Sequence, residues 1–113
     1  MLSLAKSNVI SRKYLIPLRS EFSKIKATGK MVTTSLFSLT IAKNNFAYPR
    51  FAFIISKKVD NRSVIRHRIK RCLAQAVKDL YLPANDYVFF AKKTAVNKTI
   101  EELKNEITNV IHN

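Results

Sequence analysis

Between positions 57 and 71 the chain carries seven basic residues, Lys57, Lys58, Arg62, Arg66, Arg68, Lys70 and Arg71, and one acid, Asp60. The run SKKVDNRSVIRHRIKRCLAQAV then passes into an apolar pattern of helical period, through Ile65, Ile69, Cys72, Leu73, Ala76, Val77 and Leu80. The charge therefore rides on a rigid helix with its back in a core, not on a tail. A fixed lattice of cations suits a fixed lattice of phosphates, which points to structured RNA or DNA as the partner.

At ~100° per residue the charged positions can be placed around that helix. Arg66 and Lys70 share one flank, His67 and Arg71 follow, and Arg68 closes the arc on the other side. Arginine suits such an arc because its planar fork grips phosphate oxygens in pairs and stacks on bases. A merely solvated helix face is the plain alternative, but such faces mix in acids, and residues 61–78 contain none. The candidate RNA-binding set is Lys57, Lys58, Arg62, Arg66, His67, Arg68, Lys70 and Arg71.

The rest of the chain agrees with this reading. The net charge is +14 over 113 residues, and of seven acids only Glu21 precedes Asp60. Such a field repels itself, and a polyanion relieves it. Nucleic acid is the first reading and an anionic membrane surface the second. No apolar run reaches the ~18 residues that span a bilayer. The lone Cys72 allows no internal disulfide and no cysteine-based zinc site. Residues 1–17 have the Lys, Arg and Ser content of a transit peptide but no amphipathic period. They are read as a flexible basic arm of a cytoplasmic protein, ahead of one RNA-binding domain over residues 18–113.

Periodicity predicts the elements. Ser20 caps a short helix that ends before Gly29, with Phe22 and Ile25 on one face. Positions 36–42 and 50–56 alternate as two strands of a hairpin, with a short extra strand near 31–34. The long helix covers 63–82, a strand covers 86–91, and a basic loop covers 92–98. Thr99 and Glu102 form a capping box for the last helix. The fold class is α+β: a single-domain sandwich of a small mixed β-sheet with about three helices on one face, in the order α-β-β-(β)-α-β-α. One hairpin face is bulky (Phe37, Leu39, Phe51, Phe53). The other is small or polar (Ser38, Thr40, Ala52, Ile54), leaving room for a trough walled by Phe22, Arg66 and Lys70.

No catalytic constellation is visible. There is no Gly-rich phosphate loop and no nucleophile–base pair, and His67 and His112 stand apart. Asp60 is read as an ordinary helix-start acid rather than a metal ligand. No catalytic residue, no metal site and no protein-bound cofactor are expected.

The run SKKVDNRSVIRHRIKRCLAQAV resembles the signature of the bacterial ribonuclease P protein subunit, and RSEFSKIKATGK, LFSLTIAK, RFAFIISKK and DYVFFAKKTA resemble its other elements. The likeness extends from about Leu18 to Ile111. It implies a subunit that pairs one-to-one with a large catalytic RNA and helps remove the 5′ leader of precursor tRNA. The RNA would hold the magnesium ions that activate water, and the protein would bind the leader. It also implies a left-handed strand–helix–strand crossover, against the usual rule. Carried over by residue, Arg66 and Lys70 would line the leader trough with Phe22, Ser38, Thr40 and Ile54, while Arg68 and Arg71 would face the catalytic RNA. His67 stands where the family has Asn, Lys26 where a second aromatic is common, and Thr40 where Tyr is frequent. Grip on the leader would then depend more on charge. The alternatives are a ribosomal protein or another non-enzymatic RNA-binding module. A DNA-binding protein fits less well, because no helix-turn-helix is visible.

Overall fold

The computed structural model describes residues 11–111. Residues 1–10 of the expected arm and residues 112–113, with His112, lie outside the described residues. After a 3-10 turn at Arg12–Tyr14 come α1 (Leu18–Thr28), β1 (Lys30–Thr33), β2 (Phe37–Lys43) and β3 (Arg50–Ile54). Then follow α2 (Ser63–Lys78), β4 (Asn85–Ala91), a 3-10 turn at Lys93–Ala95, and α3 (Ile100–Ile111). This is the expected α+β order with the extra strand present.

The strand order is β1-β2-β4-β3. β1 and β2 form the hairpin, closed by Thr34, whose Oγ1 accepts the N–H groups of Leu36 and Phe37 at 3.0 and 3.1 Å. The expected hairpin between residues 36–42 and 50–56 does not form. β4 inserts between β2 and β3, antiparallel to the first and parallel to the second. Residues 44–49 make a broad loop rather than a two-residue turn. β4 also holds the apolar run Tyr87, Val88 and Phe89, all buried, which suits a strand flanked on both sides.

Helices cover both faces of the sheet, not one. Ile69, Leu73, Ala76 and Val77 of α2, with Leu103 and Ile107 of α3, pack on Phe37, Leu39, Phe51, Tyr87 and Phe89. Each fully buried large side chain there contributes roughly 1.5–3 kcal/mol. The opposite face of the same strands presents Ala42, Ala52 and Val88, and Ile25 of α1 covers them with Ile16. The small residues expected to leave open space thus admit a helix along much of their length.

Ser20 is not the cap of α1. The helix begins at Leu18 after Pro17, whose carbonyl accepts the Ser20 and Glu21 N–H groups, and the Ser20 hydroxyl donates to the same carbonyl at 3.2 Å. At the other end Gly29 has an ordinary extended backbone, φ −86°. A Cβ there would lie 2.8 Å from both the Ile25 carbonyl oxygen and Thr40 Cγ2. The glycine lets α1 descend directly onto β2.

α2 ends at Lys78, short of residue 82. Pro83 disfavours helix in the residue before it. Leu80 and Leu82 still pack on the core, which is why the apolar period outlasts the helix. N-terminal to the expected boundary at residue 18, Ile16 is buried and its N–H donates to the Phe51 carbonyl at 2.9 Å. Residues 14–16 therefore belong to the packed unit. The Thr99–Glu102 capping box forms in both directions, at 2.9 and 3.1 Å.

Candidate nucleic-acid interface

β3 delivers the chain into a turn carrying Lys57 and Lys58, both exposed, and residues 60–62 then set the angle of α2. Asp60 is the organiser. Its carboxylate accepts the Arg62 N–H at 2.9 Å, Arg62 Nε at 3.0 Å and Arg62 Nη2 at 2.8 Å. These bonds hold its pKa down to about 2. Among the described residues no group of three or more His, Cys, Asp or Glu could hold a metal ion.

The cations divide by what they already hold. Arg66 Nη1 donates to the carbonyls of Asp60 and Asn61, at 2.9 and 2.8 Å, clamping the entering loop to the helix. Arg68 Nη2 donates to the Val96 carbonyl at 2.9 Å, tying α2 to the loop after β4. Neither arginine is wholly free for phosphate. Lys57, Lys58, His67, Lys70 and Arg71 are exposed and make no ion pair among the described residues. Val64, His67, Lys70 and Arg71 border a depression of about 360 Å³. A second, of about 260 Å³, lies among Arg68, Arg71, Cys72 and Ile100. Cys72 is half-buried against the core.

On the other face of the sheet α1 leaves one end uncovered. Phe22 and Phe90 lie with ring centroids 6.2 Å apart, both half-buried, beside half-buried Ser38 and Ile54. Three of the residues expected to border a trough lie differently here. Thr40 is buried beneath Gly29 and is not on its surface. Arg66 and Lys70 do not face Phe22 across it, because α2 packs on the opposite face of the sheet. Phe90 is not among the residues expected there. Its signal was the alternation of β4, which puts Tyr87 and Phe89 on the main-core side and Val88 and Phe90 on the α1 side.

A third group joins residues that are far apart in the sequence. Arg50, buried in the first position of β3, donates from Nε and Nη2 to the two oxygens of Asp86, at 2.9 and 2.8 Å. Nη2 also reaches Glu21 of α1 at 2.7 Å. The two carboxylates raise the Arg50 pKa, Asp86 more than Glu21. This cluster joins α1, β3 and β4 at the end of the sheet away from the Lys57–Lys58 turn.

Comparison with known proteins gives the family. The Ribonuclease P family model matches residues 10–113. The chain is 30% identical over 106 residues to the ribonuclease P protein component of Listeria innocua, covering 90% of this chain and 88% of the relative. It is 33% identical over 100 residues to that of Clostridium novyi, covering 80% and 84%. Among solved structures, a Staphylococcus aureus RNase P protein mutant superposes with a TM-score of 0.81 at 23% identity, covering 99% of this chain and 95% of that one. The Thermotoga maritima RNase P protein superposes at 0.74 and 19% identity, covering 86% and 94%; these two likenesses concern the fold. The chain belongs to the ribonuclease P family as its protein component, which assists an RNA subunit in processing the 5′ end of tRNA.

Proposed function

We propose that this protein holds the 5′ leader of precursor tRNA in the trough between α1 and the open end of the sheet. Phe22 and Phe90 would stack bases, with Ser38 and Ile54 as the floor. Lys57 and Lys58 would hold backbone phosphates of the leader, and His67, Lys70 and Arg71, which border one depression on α2, would face the RNA subunit. Arg62, Arg66 and Arg68 act first by fixing the helix and its loops, and offer phosphate only their remaining N–H groups. The observation that carries this reading is the trough that exposes two rings, with the unpartnered Lys57 and Lys58 in the turn that follows Ile54 of β3.

The RNA subunit would supply the magnesium ions and the bond cleavage, in a one-to-one complex in the cytoplasm. No described helix is long and apolar enough to cross a membrane. The test is affinity of the reconstituted complex for precursor and mature tRNA. Phe90→Leu and Lys58→Ala should weaken precursor binding and leave mature tRNA binding unchanged. Equal losses for both substrates would overturn the leader assignment.

A further inference from the structure

α1 has a second flank, and it faces a second cleft. Phe22 faces Phe90 in the trough, whereas Glu21, Lys24 and Thr28 look toward the loop of residues 44–49. There they border a cavity of about 260 Å³ with Lys43, Asn45, Phe46 and Arg50. An adjoining cavity of about 580 Å³ shares Lys24, Thr28, Lys43 and Asn45 and adds Lys30. Together they make one cleft, on the side of α1 away from the trough.

We propose that this cleft is a second site for single-stranded RNA, in which Phe46 stacks a base and Lys24, Lys30 and Lys43 hold the flanking phosphates. The ring is built for the purpose. Phe46 is 43% exposed, far more than a packing residue needs. The Arg50 guanidinium lies 4.5 Å from its centroid and the Tyr48 ring 5.3 Å from it, tilted by 35°, so the ring is supported by two neighbours and still leaves much of its surface open. Asn44 fixes the loop: its side-chain oxygen accepts the Phe46 N–H at 3.0 Å, and its amide donates to Asp86 at 2.9 Å. The ring is thus held before any base arrives.

The electrostatics favour an anion. Arg50 already occupies the two carboxylates at the cleft, Glu21 and Asp86. Lys24, Lys30 and Lys43 are exposed and have no ion partner among the described residues. An aromatic platform with unpaired cations beside it is the arrangement that sequence-tolerant single-strand binding uses. Single-stranded RNA reaches this cleft from one of two sources, a distal part of the leader or an unpaired segment of the RNA subunit, and the two arms of the test separate them.

The test compares Lys24→Ala/Lys43→Ala and Phe46→Leu with the unsubstituted protein; leucine keeps apolar cover over Arg50. One arm measures affinity of the reconstituted complex for precursor tRNA with a long and with a short leader. The other measures affinity of the protein for the RNA subunit alone. Phe46→Leu should weaken one of them roughly fivefold, the low end of a lost base stack. The double substitution should lower the log–log salt slope by about 0.7 per lysine. A loss confined to the long leader assigns the site to the leader, and a loss in the second arm assigns it to the RNA subunit. Unchanged affinity in both arms overturns the site. Lys58→Ala in the same assays reports separately on the function proposed above.

Discussion

Arg50 and Asp86 stand opposite one another in the parallel register of β3 and β4, and two hydrogen bonds of 2.9 and 2.8 Å join them in the interior. The guanidinium then reaches Glu21 on α1, so one buried cation fixes the insertion of the last strand and the seat of the first helix.

This cluster predicts unequal costs. Removing one partner of a buried pair strands the other, which costs about 3–5 kcal/mol. Arg50→Ala should cost that much. Glu21 is a third exposed, and Glu21→Ala should cost about 1 kcal/mol or less. Urea unfolding of the two variants checks the order; equal losses would contradict it.

Gly29 makes a second, steric prediction. Gly29→Ala puts a methyl group against the Ile25 carbonyl and Thr40 Cγ2. Overpacking of this kind costs about 1–3 kcal/mol. Thr40→Ser removes one of the opposing atoms, so adding it to Gly29→Ala should recover part of the loss. A double-mutant cycle with no coupling would contradict the contact.

Much of this architecture was legible in the chain because its signals are local. The alternation through Phe37, Leu39 and Ile41 marks a strand, the stripe through Ile69, Leu73 and Val77 marks a helix, and Thr99 with Glu102 marks a helix start. The place of β4 between β2 and β3 was not legible, since the Arg50–Asp86 pairing spans 36 positions. Nor was the seat of α1: small residues such as Ala52 read equally well as open space or as room for a helix. The duties of Arg66 and Arg68 were hidden because their acceptors are main-chain carbonyls, which no sequence pattern displays. Charge count alone overstated how much of the arc is free.

Asp60 carries the pH prediction. Its pKa is lowered from 3.8 to about 2 by Arg62, so its contribution is present above 3.8 and is lost as pH falls through 2. The carboxyl resonance of Asp60 should titrate near 2. A midpoint near 3.8 would show that the Arg62 bonds do not persist in solution. Asp60→Asn should remove this part of the acid dependence.

Salt dependence separates the free cations from the committed ones. Lys58→Ala should lower the log–log salt slope of precursor-tRNA binding, and Lys70→Ala that of RNA-subunit binding, each by about 0.7–0.9. Arg68→Ala, which first loses the Val96 bond, should change stability more than slope. Equal slope changes for all three would contradict the division of the arc.

The central claim is that this chain positions RNA strands and leaves bond cleavage to its RNA partner. Cleavage of precursor tRNA at low magnesium tests it most directly, with the RNA subunit alone, the protein alone, and the two together. The account predicts cleavage restored only in the mixture. Cleavage by the protein alone, or a mixture no faster than the RNA subunit by itself, would contradict it.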